Sequence, residues 1–144
     1  MIRTPRKTDQ GYIASTWAKS ILRGTHAWER HGTARTGHQI HSLIDQVLDR
    51  QDTRALVRVK PSDPDVILGW VLYVEGPGVP IVHYCYVRAD EREHGIAGEL
   101  LHRIGVRRDG GVVCTSDGPS SAMMRTLYPA AVHMPLAEFL KPNR

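Results

Sequence analysis

The sequence predicts an α+β fold, a mixed and mostly antiparallel sheet flanked by helices, on three observations. Apolar stripes at helical spacing open the chain, strand-like runs separated by short turns follow, and a strand–turn–helix–strand passage comes after them. Runs joined by tight turns pair antiparallel, whereas strands joined through a helix run parallel with a right-handed crossover. At 144 residues the chain is expected to form one domain, 1–144, with a basic, flexible segment over residues 1–8.

Asp9 or Gln10 can cap a first helix, in which Tyr12, Ile13, Thr16, Trp17, Ser20 and Ile21 share one stripe that ends near Gly24. Thr25 to Arg35 is polar, contains Gly32 and has Trp28 as its only large apolar residue, so it reads as a loop. From Thr36 to about Gln51, the residues Ile40, Leu43, Ile44, Val47 and Leu48 form the stripe of an amphipathic helix. Arg54 to Lys60 and Val66 to Val74 then read as a hairpin around a Pro61–Asp65 turn. A second turn, Gly76 to Pro80, leads into the strand Ile81 to Val87. Beyond it come a helix from Ile96 to Ile104, a short strand Val112 to Thr115, a helix Ser120 to Leu127 stopped by Pro129, and a turn or two of helix at Leu136 to Leu140.

Composition narrows the function classes. Hydrophobic content of 41% and charged content of 24% are those of a globular domain, and no apolar run approaches the roughly 20 residues that cross a bilayer. The basic start is followed by Thr8-Asp9-Gln10 and not by an apolar stretch, so a cytoplasmic protein is expected. Cys85 and Cys114 lie in apolar strand runs, which suits buried thiols better than a disulfide. A net charge of +4 is compatible with a nucleic acid, an acidic substrate or a phosphate-rich cofactor and selects none of them. His38 and His41 are three apart on a helix, but no partner completes a ligand set at a recognisable spacing, so no metal is expected.

The segment Arg92-Glu93-His94-Gly95-Ile96-Ala97 stands between a strand and a helix. A turn there aims free backbone N–H groups and the positive end of a helix at one point, which suits an anion such as a pyrophosphate. This segment, in this order of elements, resembles the signature of the GCN5-related N-acetyltransferase family: Arg or Gln, two residues, Gly, one residue, then Gly or Ala. The approach Cys85 to Asp90, the following Leu100-Leu101, and Ala122 to Tyr128 are similar to the family's flanking strand, helix and late helix ending in tyrosine. Glu93 stands where the family often has Gly, and Pro129-Ala130-Ala131 replaces the Gly-Phe that usually follows the tyrosine. Tyr12 to Trp17, Ser62 to Asp65 and Val82 to Val87 also resemble small bacteriophage proteins of this fold, for which the setting would be the host cytoplasm.

The resemblance implies an acyltransferase that takes acetyl-coenzyme A as donor and an amine of a small molecule, a protein or a nucleic acid as acceptor. Backbone N–H groups of Arg92, Glu93, His94, Gly95, Ile96, Ala97 and Gly98 would hold the pyrophosphate, with charge added by Arg88, Arg92 and His94. The strand edge around Tyr86 and Val87 would bind the pantetheine amides, which would bring the thioester near Cys85. Tyr12, Thr16, Trp17, Trp28 and Tyr84 would line the acceptor site, although an apolar stripe in a first helix is usually core.

Direct attack by an amine needs a base for the ammonium, donors for the developing oxyanion and an acid for the leaving thiolate. Tyr128 is the candidate acid, its ordinary pKa of about 10 suiting a thiolate. His83 and Glu75 are the candidate bases, weighed against a buried core histidine and an exposed strand-end carboxylate. Strict alternation sets His83 with Ile81, Cys85 and Val87 on one face and Tyr84 with Val82 and Tyr86 on the other, and leaves open which face meets the acceptor. Two alternatives stand beside this reading: an acyltransferase acting on nucleic acid or a modified nucleotide, and a non-catalytic domain that keeps the fold to bind a protein.

Overall fold

The computed structural model describes residues 1–24, 33–75, 78–116, 124 and 126–141, with side chains at all of these but 22–24 and 33–38. Six strands lie side by side in chain order: β1 (Ile2–Arg3), β2 (Thr53–Lys60), β3 (Asp63–Val74), β4 (Ile81–Val87), β5 (Val112–Cys114) and β6 (Ala131–His133). The pairs from β1 to β4 are antiparallel, and β4–β5 and β5–β6 are parallel. The helices are α1 (Gln10–Gly24), α2 (Thr33–Leu48), α3 (Ile96–Arg103) and α4 (Leu136–Phe139). This is the expected mixed, mostly antiparallel sheet with helices on both faces.

On one face α1 and α2 bury Ile13, Trp17, Ile40, Ile44 and Val47 against Val57, Val59, Ile67, Trp70 and Leu72 of the sheet, with Leu136 and Leu140 packed at the edge. On the other, Ile96, Leu100 and Leu101 of α3 pack on Leu68, Val71, Val82, Val112 and Cys114. Both stripes are those the helical spacing predicts, because residues three and four apart stand over one another. Asp9 stands directly before α1 but turns its carboxylate back along the chain, where it accepts the Arg6 N–H at 2.7 Å and pairs with Arg3 at 2.8 Å.

Several boundaries differ from expectation for identifiable reasons. Helix α2 begins at Thr33 and ends at Leu48, where the Thr53 hydroxyl donates to the Val47 carbonyl at 2.6 Å. The β2–β3 hairpin turns more tightly than a Pro61–Asp65 turn, because Lys60 already pairs with Asp63. Within residues 1–8, read as flexible, Ile2–Arg3 forms a strand, with Val59 N–H donating to the Met1 carbonyl at 2.9 Å. Strand β6 has no counterpart in the sequence reading, since three residues are too few to show alternation. The Thr25–Arg35 loop, with Trp28, His26 and His31, lies largely outside the described residues. So does most of the Ser120–Leu127 helix, of which Met124, Thr126 and Leu127 are helical.

Candidate functional site

Strand β5 pairs only with the beginning of β4. Ile81 faces Val113 and Val82 faces Cys114, and the last rung is Thr115 N–H to the Val82 carbonyl at 3.1 Å. From Tyr84 onward no described strand covers the outer edge of β4. Which groups face that edge follows from the register. Arg88 N–H donates to the Leu68 carbonyl at 2.9 Å, and Trp70↔Tyr86 lies two residues further along the same antiparallel ladder. The main chain of Tyr86 therefore turns toward β3, and that of Cys85 and Val87 toward the open edge. Of the two residues expected to offer their edge, Val87 does so and Tyr86 does not; Cys85 takes its place.

A β-bulge accounts for a second departure. Leu72 pairs with Tyr84 but Tyr73 pairs with Val82, so His83 is an extra residue in β4. One inserted residue shifts every following side chain to the other face. His83 accordingly shares the α1 face with Tyr84 and Tyr86, while Val82, Cys85 and Val87 lie on the α3 face. Strict alternation, which grouped His83 with Cys85 and Val87, does not hold here.

The segment after β4 forms the expected turn. Glu93 has φ 68° and Gly95 φ 80°, both left-handed, and Ile96 opens α3. A Cβ at Gly95 would meet nothing within 4 Å, so glycine is favoured there by its backbone angle rather than by space. Among the described residues no protein group accepts a hydrogen bond from the N–H groups of Arg92 through Gly98. Those of Ile96, Ala97 and Gly98 belong to the first turn of α3, its positive end. The side chains around them are largely engaged: Arg88 is bidentate on Asp90 at 3.1 and 2.6 Å, and Arg92 Nε donates to the Val87 carbonyl at 3.2 Å. His94 lies 3.5 Å from Glu91. The hydrogen-bonding capacity left open at this turn is therefore mainly that of the main chain.

The α3 helix is seated by a close approach. A Cβ on Gly69 would stand 2.7 Å from the Tyr86 carbonyl oxygen and 3.1 Å from Ile96 Cγ2. Only glycine lets the first residue of α3 rest on the centre of the sheet.

The other candidate residues are dispersed. Tyr128 is 8% exposed in the α3-side core, its phenol held above the usual value by burial and then by the nearby Cys85 thiol. Burial alone pushes the Cys85 thiol up to about 12, so it stays protonated. His83 is fully buried between Trp17 and Phe139 and is pushed down to about 4 by burial and then by the positive Arg50. Glu75 follows the end of β3 that pairs with Ile81, the far end from Val87, and its carboxylate meets Arg54 at 2.6 Å.

Trp17 is 1% exposed, crossed edge-on by Trp70 at 6.5 Å. The Thr16 hydroxyl accepts from Trp70 Nε1 at 2.9 Å and donates to the Tyr12 carbonyl at 2.7 Å. Both residues belong to the packing of α1. Tyr84 and Tyr86 each lie 5.7 Å from Trp70, and Tyr12 meets Tyr86 edge-on at 6.4 Å. Tyr12 lines an open cavity of about 530 Å³, bounded also by Asp65, Ile67 and Arg88 at the β4 end near the turn. Burial, then Tyr86, raises its phenol to about 12. Sequence reasoning passed over Thr115, whose only signal is a hydroxyl closing an apolar strand run.

Comparison with solved structures gives the same architecture. A protein from Pyrococcus furiosus assigned as an acetyl transferase matches with a TM-score of 0.55 at 15% identity, over 88% of this chain and 88% of that one. An aminoglycoside N-acetyltransferase in complex with CoA matches with a TM-score of 0.52 at 14% identity, over 90% of this chain and 84% of its own. No protein-family model and no curated protein matches the sequence. The chain thus has the GCN5-related N-acetyltransferase fold, the one shared by acetyl-CoA-dependent N-acetyltransferases. No described helix is long and apolar enough to cross a membrane.

Proposed function

We propose that the protein is an acyl-CoA-dependent N-acyltransferase, with acetyl-CoA as donor and an amine as acceptor. The observation that carries this reading is the run of N–H groups from Arg92 to Gly98 for which no described protein group is the acceptor, in the segment that follows the end of β4 left uncovered by β5. Such donors at a helix start suit a diphosphate, and the outward main chain of Cys85 and Val87 suits an extended amide-bearing arm. The Val87 carbonyl gives up its Arg92 contact to take part. When bound, acetyl-CoA supplies an activated acyl thioester.

The chain's own residues then divide the work. The turn holds the anionic end, and the β4 edge orients the arm. Tyr128 keeps its proton at neutral pH and stands near Cys85, so it serves as donor to a departing thiolate. His83 has no solvent-facing surface and Glu75 sits at the other end of the sheet, so deprotonation of the amine is assigned to water. The proposed setting is the cytoplasm, where Cys85 and Cys114 would stay outside any disulfide, as they are here.

The test is a thermal melt with and without acetyl-CoA, for the parent and for Gly95→Trp, followed by mass spectrometry of amines incubated with the protein and donor. A ligand that binds only the folded state raises the melting temperature, by about 2.7 kcal/mol of added stability at 100-fold excess over Kd. The parent is expected to shift and Gly95→Trp to shift far less. An unshifted parent removes the reading.

A further inference from the structure

The place where β5 leaves β4 is marked by one buried polar contact. Thr115 supplies the last main-chain rung, to the Val82 carbonyl, and its hydroxyl lies 2.7 Å from Nδ1 of His83, the next residue along. The residue that follows β5 thus grips two consecutive residues of β4, and the second of them is the bulged one. The packing against this contact is aromatic, with the Arg50 guanidinium lying beyond it over the Phe139 ring: that ring meets His83 edge-on at 4.9 Å, the Trp17 ring stacks at 6.5 Å, and His83 Nε2 makes no hydrogen bond. Burying an imidazole with one nitrogen unsatisfied carries a free-energy penalty that an aliphatic residue would avoid.

We propose that the His83–Thr115 pair is a clasp that holds the bulge and fixes the point at which the sheet parts, and so sets how far an acyl thioester can run between β4 and β5. This rests on the acyltransferase reading for the identity of what enters the gap. Relaxing the bulge would slide the β4 pairing by one residue and turn the main chain of Cys85 and Val87 away from the open edge. His83 and Thr115 are positioning residues in this scheme: they touch neither donor nor acceptor. The imidazole stays neutral across the working pH range, so the clasp does not open and close with pH.

The decisive variants are Thr115→Val, which keeps the shape and loses the hydroxyl, and Thr115→Ser, which restores it. Calorimetry with acetyl-CoA and with adenosine diphosphate separates the two ends of the site, because the diphosphate alone reaches only the turn. Thr115→Val is expected to weaken acetyl-CoA binding about tenfold, the size of one neutral hydrogen bond, with adenosine diphosphate within about twofold and Thr115→Ser close to the parent. Equal losses for both ligands, or none for either, would overturn the clasp. Should Thr115→Val not fold, His83→Gln is judged by the same ratio. If the parent binds neither ligand, the acyltransferase reading fails and the clasp is judged by amide exchange alone. Loss of the hydroxyl should then speed exchange of the residue-115 N–H at least about tenfold, and an unchanged rate overturns the proposal.

Discussion

The two faces of the sheet solve opposite problems with the same strand. Toward α1, β4 contributes His83, Tyr84 and Tyr86 to an interlocked set of rings with Trp17 and Trp70, and most polar groups there are paired within the protein or sealed from water. Toward α3 it contributes Val82, Cys85 and Val87 to an aliphatic core, but its end opens onto main-chain donors that no described group satisfies. One face is finished as structure, and the other leaves hydrogen-bonding capacity for something else. Candidates for chemistry read from the sequence fell on both, and only their distribution across the sheet separates packing from binding.

The contrast can be broken first at its rigid side. Trp17→Ala removes one of the two buried indoles of the α1 face and should destabilise the fold by about 3–5 kcal/mol, measured by urea unfolding. A loss below about 1 kcal/mol would mean that this ring is not core. Acid should act next. His83 is held at about 4 in the fold against about 6.5 when unfolded, so between those values the unfolded chain takes up the proton. Stability contributed by the neutral ring is complete above about pH 6.5 and falls as pH drops toward 4, by roughly 3 kcal/mol in all. Asp9 and Asp52, lowered chiefly by hydrogen bonds from Arg3 and Arg50, act only in still more acidic solution. Unfolding free energies at pH 7.5 and 4.5 check this, and His83→Gln should flatten most of the difference.

The smallest effect lies on the open side and should be confined to it. Gly95→Ala places a side chain at φ 80° and should cost about 1–2 kcal/mol, whereas Glu93→Gly relieves φ 68° and should gain up to about 1 kcal/mol. Opposite signs at two residues of one turn, read by melting temperature, would show that backbone angle governs the cradle. Equal signs would point to side-chain contacts instead.

Much of this was legible in the residues. Ile40, Ile44 and Val47 announced α2 through spacing, Ile81 to Val87 is the strand as read, and Gly95 between a strand and an apolar-periodic segment located the turn. The bulge was not legible, because Val-His-Tyr-Cys-Tyr reads equally well with or without an inserted residue. That single hidden register shift moved His83 across the sheet. It also put Cys85 in place of Tyr86 at the open edge. Strands β1 and β6 escaped notice since each is stabilised by pairing with a neighbour distant in sequence, and neither has a pattern of its own.

Gly69 pairs with Val87 from the side of the sheet away from the open edge, and the beginning of α3 leans on the bare backbone there. Any methyl group at that point would press first on the Tyr86 carbonyl and then on Ile96, shifting both the strand and the donors beyond it, so a mutational survey would score Gly69→Ala as a binding defect. Remote substitutions in this chain are therefore best sorted by what they move before they are sorted by what they reach.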